Sequence, residues 1–267
     1  MNPIFLDFGS YQIHWYGVMA ALGFLAANYL VQRNCRYANL TKDQGTTLVF
    51  IGVLSGVIGA RIFYVLLNFH EYKDNLLSIF AIYKGGLVFY GGFILALLSL
   101  LIYCKLKKLS VLAVFDVLAP ALALGHAFGR IGCFLNGCCY GKPAPKWLGV
   151  IYPQSNNPNS PYCVYGDTPL HAVQLYECFF NLILCFILYK IVRKGKRGMA
   201  MSTYIFMYGV LRFVDEFFRG DHPARELCMG LSPAQLIGLA IVPIGLLLMG
   251  YVWKHGTIQK IEVNPEK

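Results

Sequence analysis

Arg61, Asp116, Arg130, Glu177, Arg212, Asp215, Glu216 and Arg219 stand inside or at the ends of otherwise apolar stretches of the sequence. An ionisable side chain in hydrocarbon is costly unless it is paired or hydrated, so each of these is a candidate for binding or catalysis. The structural alternative is an ion pair that only holds helices together, and for Arg61 with Asp116 both readings stand. Arg130, Arg212 and Arg219 lie near the ends of predicted helices, beside Gly-rich or polar turns, where anionic headgroups are within reach. Tyr208, Arg212, Glu216 and Arg219 follow one another at offsets of four, four and three, which puts them on one face of a helix. A phenol, two guanidiniums and a carboxylate against apolar neighbours form a polar lining. Guanidiniums clamp phosphate oxygens through paired hydrogen bonds, and Glu216 is placed to hold Arg212.

Cysteines and glycines supply further patterns. Cys133, Cys138 and Cys139 form a C-x4-C-C cluster. That spacing is not the paired C-x-x-C of structural zinc sites, so no metal is expected there. A disulfide, with Cys163 as one partner, is the other special reading, although neighbouring cysteines bridge each other poorly. Gly52, Gly56 and Gly59 recur at helical spacing and read as a close helix contact. Gly85, Gly86, Gly91 and Gly92 bracket Tyr90, and two glycine pairs so close together predict a bent or broken element lining a cavity.

The elements that must position these residues are membrane helices. Hydrophobic residues make up 57% of the chain and charged residues only 13%, about half the usual share in soluble domains. Apolar blocks near the length of a bilayer core run over residues 13–31, 45–67, 87–104, 111–128, 173–192, 199–218 and 234–253, which predicts seven transmembrane helices. The first block has neither a basic flank nor a small-residue cleavage site, so it is expected to remain as a helix. Lys and Arg are more numerous in the loops after the first, third and fifth spans and after the seventh than in the opposite loops. The N-terminus is therefore expected outside and the C-terminus in the cytoplasm. Residues 129–171, rich in Gly, Pro and aromatics, are expected to fold as an outward-facing cap between the fourth and fifth spans. The whole chain, 1–267, then reads as one all-α integral membrane domain. The net charge of +10 resides mostly in short loops, where topology accounts for it, so no nucleic-acid partner is expected.

The sequence GRIGCFLNGCCYG at 129–141 resembles the GRIGNFINGE-type motif of the prolipoprotein diacylglyceryl transferases. Tyr16-Gly17, the Gly59-Ala60-Arg61 turn, GGLVFYGG at 85–92, HAVQLYE at 171–177 and the segment 208–219 extend the likeness over nearly the whole chain. The resemblance implies transfer of a diacylglyceryl group from phosphatidylglycerol to the lipobox cysteine of prolipoproteins, in the bacterial inner membrane and without a cofactor. It implies that Arg130 and Arg212 handle the lipid phosphate. Tyr16, Asn136, Gly141, Gln174, Glu177, Tyr208, Glu216 and Arg219 match family positions around that lipid. Three positions depart from the pattern: Tyr90 replaces a histidine discussed as the general base, Cys133 an asparagine and Cys138 a glutamate. A phenol, with a pKa of about 10, is a poor base at neutral pH, which makes Tyr90 a hydrogen-bond donor to phosphate or glycerol. His126, four residues before Arg130 and so on the same helical face, and His171 are substitute bases or else structural residues. A paralogue with a different acceptor or lipid donor, and a transporter, are the competing readings. Repeats and paired broken spans, which transporters often show, are not apparent in the sequence.

Overall fold

The computed structural model describes residues 3–9, 12–73, 75–81, 85–154, 160–221 and 230–257. Parts of the loops 68–84 and 219–232, and residues 155–159, lie outside the described residues. A short antiparallel pair, β1 (Ile4–Asp7) and β2 (Gln12–His14), precedes α1 (Trp15–Asn34). Then follow α2 (Lys42–Leu67), α3 (Phe89–Leu106), α4 (Val111–Asn136), the single-turn α5 (Pro161–Tyr165), α6 (Val173–Lys194), α7 (Met199–Asp215) and α8 (Pro233–His255). Five of these, α2, α3, α4, α6 and α8, are long and apolar enough to cross a membrane.

Helix α4 is the axis of the bundle and packs on α1, α6 and α7. In its most apolar window 56% of the residues are buried, against 17% for α8, so α4 is walled in by protein while α8 shows most of its apolar surface to the surroundings. Pro120 sits inside α4 and is buried. Helices α2 and α3 form a separate pair through the glycines expected to make a close contact. A Cβ on Gly59 would lie 2.5 Å from the Gly91 carbonyl oxygen, and one on Gly92 would lie 2.7 Å from that of Gly56. Gly91 and Gly92 are therefore packing residues in the first turn of α3, not a bend. Gly85 and Gly86 do carry the irregular backbone expected of them, with φ of +84° and +76°, and border a small pocket with Arg61, Tyr64 and Tyr72.

Of the two readings left open for Arg61 and Asp116, the ion pair between them is not the one seen. Arg61 is buried and donates to the carbonyls of Ser78, Ile79, Gly85 and Gly86, holding the loop between α2 and α3. Asp116, on α4, accepts from the backbone N–H groups of Gly198 at 2.5 Å and Met201 at 2.9 Å, so it caps the start of α7. Backbone carbonyls and helix-end N–H groups, which a sequence does not place, satisfy both charges separately.

The segment after α4 begins later than expected. No helix breaker stands between Gly129 and Asn136, and Gly132 lets α4 lie against Tyr16 and Met19 of α1, so the helix continues to Asn136. The described residues of 137–172 then form a lobe around Tyr140, Tyr152 and Leu170, with Tyr165 against them. Its strand-like bridges tie Gly141 to Arg219 and Leu170 to Pro143 and Val150.

Candidate functional site

Three helices bring the ionisable residues together. His126 and Arg130 are one turn apart on α4, Glu177 is on α6, and Arg212 and Asp215 are on α7, with Glu216 just past its end. Arg130 donates from Nη2 to Glu177 Oε2 at 2.8 Å and from Nε to His126 Nε2 at 3.1 Å. His126 Nε2 also lies 3.4 Å from Glu177 Oε2, so imidazole, guanidinium and carboxylate form one cluster.

The network continues across to α7. Glu177 and Asp215 border the same cavity from α6 and α7. Arg212 Nη1 reaches Glu216 Oε2 at 2.9 Å and Asp215 Oδ2 at 3.5 Å. The pairing of Arg212 with Glu216 read from the sequence is present. Asp215, which the sequence reading named among the candidate charges without giving it a role, lies three residues from Arg212 on the same helix. A cavity of about 520 Å³, its open mouth included, is bordered by His126, Glu177, Tyr208, Arg212 and Asp215. Tyr208 borders the cavity, whereas Tyr90, exposed at the start of α3, is not among its lining residues.

Arg219 departs from the expected helical stripe. Helix α7 stops at Asp215, the chain turns through 216–218, and Arg219 forms a bridge with Gly141 while its guanidinium grips Asp221 through two bonds of 3.0 and 2.7 Å. Its side chain still acts electrostatically on Glu177. Gly141 is where two segments meet: a Cβ there would lie 2.6 Å from His171, so only glycine lets the lobe backbone close on 171 and 219 together. His171 is engaged with the Tyr176 hydroxyl at 3.1 Å.

Gln174 is fully buried and serves as a strut. Its amide nitrogen donates to the Cys138 carbonyl at 2.7 Å and to the Tyr152 hydroxyl at 3.1 Å. Burial pushes the Tyr152 phenol up to about 12, so it stays protonated. Asn136 ends α4, exposed, with its side chain bonded to Cys138. Tyr16 is half exposed on α1 and adjoins Arg130 and the three cysteines electrostatically.

Arg212 at the cavity wall and Arg130 behind the cavity-lining Glu177, each paired with a carboxylate between apolar helices, suit an anionic group carried on a membrane molecule. The comparisons agree in class and then give the family. Residues 3–251 match the family model described as prolipoprotein diacylglyceryl transferase. A phosphatidylglycerol–prolipoprotein diacylglyceryl transferase of Clostridium tetani is 36% identical over 249 residues, covering 93% of this chain and 96% of that one. Its namesake in Clostridium kluyveri is 35% identical over 264 residues, covering 98% and 100%. The chain belongs to the prolipoprotein diacylglyceryl transferase family, and it is a multi-pass membrane protein.

Proposed function

We propose that this protein transfers the diacylglyceryl group of phosphatidylglycerol to the thiol of the lipobox cysteine of prolipoproteins, the first step of bacterial lipoprotein maturation. The observation that carries the reading is one cavity bordered by Arg212, Asp215 and Glu177, with Arg130 gripping Glu177 from α4.

The chemistry is a sulfur alkylation. The cysteine sulfur attacks the glycerol carbon bonded to phosphate, a C–S bond forms, the C–O bond breaks, and glycerol phosphate leaves with the electron pair. The phosphorus group goes from one negative charge to two, so guanidiniums beside it bind the transition state more tightly than the substrate. Glu177 and Glu216 hold the guanidiniums in place beforehand, and His126, bonded to Arg130 Nε, fixes the plane of Arg130. Tyr90 and Tyr208 supply hydroxyls for the phosphate or glycerol. A free thiol has a pKa of about 8.5, so its proton needs only modest help to leave.

The chain crosses the inner membrane seven times, with the N-terminus outside and the C-terminus in the cytoplasm. Helix α1, with 20 residues, spans about 30 Å at 1.5 Å per residue, which supports counting it with the five most apolar helices. Helix α7 is the seventh, and the lobe 137–172 caps the outer side, above Arg130 and Arg219.

The test is transfer from labelled phosphatidylglycerol to a lipobox peptide, with the peptide's Cys→Ser version as the blank. Arg130→Ala and Arg212→Ala are each expected to lower kcat/KM by about 10² to 10³. A folded wild-type chain that leaves the peptide unmodified overturns the assignment. In that case the departures at Tyr90, Cys133 and Cys138 mark a different acceptor.

A further inference from the structure

The last turn of α4 and the residues after it carry three thiols that the transfer chemistry does not use. Gly137 ends the helix in the left-handed region with φ of +71°, while Cys138 N–H bonds back to the Cys133 carbonyl at 3.1 Å and Gly137 N–H to that of Phe134 at 3.2 Å. This pair of bonds is the glycine-terminated helix cap that brings the residue after the glycine against the residue five positions earlier. Both of those residues are cysteines. Cys139 then takes φ of +60°, a backbone region that side chains other than Asn and Asp seldom occupy, and brings its sulfur to the same place. The three Sγ atoms lie within 4.8 Å of one another, and all three thiols are free and partly buried.

That geometry suits a soft cation. Thiolate sulfurs at about 2.3 Å from a tetrahedral zinc ion stand roughly 3.8 Å apart, so the three here need to close by less than about 1 Å. The turn is already held, with the Cys138 carbonyl on the Gln174 amide at 2.7 Å and the Asn136 side chain on Cys138. Three thiolates and a divalent ion leave one net negative charge, and Arg130 and Arg219 both act on Cys139 electrostatically to offset it. The C-x4-C-C spacing does not advertise a metal site, but the helix cap supplies the convergence that the spacing lacks.

We propose that Cys133, Cys138 and Cys139 form a three-thiolate site for a thiophilic divalent cation of the zinc class, with one coordination position left open. Binding releases the three thiol protons, so affinity falls as the pH is lowered. The ion joins the end of α4, where Arg130 is three residues before Cys133, to the loop whose Gly141 pairs with Arg219. Occupancy of the site therefore fixes how those two arginines stand to each other.

The experiment uses the full chain in detergent, kept reduced by a phosphine under anaerobic conditions, and titrates Co2+ followed by Zn2+. One Co2+ per chain is expected, with thiolate charge-transfer absorption in the near ultraviolet and tetrahedral ligand-field bands that Zn2+ bleaches. Zn2+ should also shield the three cysteines from iodoacetamide, read by peptide mass spectrometry on the unmutated protein. Cys133→Ser and Cys139→Ser should each weaken Zn2+ by more than about 100-fold, since losing even an outer partner of a ligand costs 10- to 100-fold. Cys163→Ser, outside the cluster, should change nothing. Equal alkylation of the three thiols with and without Zn2+, or no charge-transfer band, overturns the proposal. So does recovery of a Cys133–Cys138 disulfide, in place of shielded thiols, from membranes quenched with alkylating agent. None of these readings depends on transfer activity, so the site stands or falls apart from the function proposed above.

Discussion

Arg130 makes two different bonds from two nitrogens, Nε to His126 and Nη2 to Glu177, and only a planar guanidinium can do both. Lysine keeps the charge but is a point donor on a flexible stem. Arg130→Lys is therefore expected to lose at least about 10² in kcat/KM in the lipobox-peptide assay. His126 contributes one hydrogen bond to a charged partner, worth about 1.5 kcal/mol. His126→Ala should thus cost about tenfold, with the pH profile of kcat/KM unchanged in shape. A loss as large as that of Arg130→Lys, together with disappearance of the profile's ascending limb, would make His126 the base and not a positioning residue. At this scale the sequence was informative about helical neighbours, since the pairs 126/130 and 212/216 are both four apart. It could not show that Glu177 and Asp215 border one cavity, because that placement joins two helices separated by the whole turn between α6 and α7.

Helix α7 carries Arg212 and has no capping side chain of its own, since Gly198 precedes it. Asp116, from the middle of the chain and nearly inaccessible, takes that place by accepting from Gly198 and Met201. Asp116→Ala leaves those N–H groups buried without their acceptor, and the chain should lose about 2 to 3 kcal/mol of stability, read as a lower thermal midpoint in detergent. Asp116→Asn keeps one oxygen acceptor and should lose less. An unchanged midpoint in Asp116→Ala would mean that α7 is held by packing alone. Arg61 has the equivalent task for the loop before α3, through four bonds to carbonyls. An ion pair of Arg61 with Asp116 was a fair expectation from charge alone, but charges in apolar surroundings also find partners among backbone groups at the ends of other elements.

Across the whole molecule, the described part of the lobe 137–172 follows the α4 end that holds Arg130, and the topology proposed above puts that end outside. Cys163, exposed on α5, is a native reporter of this topology. A membrane-impermeant maleimide added to intact right-side-out vesicles should label wild type more than Cys163→Ser, and opening the vesicles should not raise the Cys163-dependent signal. Labelling of Cys163 only after opening would invert the topology and place the lobe in the cytoplasm.

The sequence by itself determined the helical membrane class, the approximate position of every long helix and the family, because apolar block length and motif spacing are local properties of the chain. It also located the two arginines, though not the end of α4, which runs to Asn136 and not to residue 128. The tertiary structure decided which carboxyl meets which guanidinium, the removal of Arg219 from the α7 stripe, and the capping of α7 by Asp116. It also decided the convergence of Cys133, Cys138 and Cys139. Each of these depends on how helices distant in sequence abut, or on a backbone turn that reverses direction within three residues. Periodicity carries no information about either.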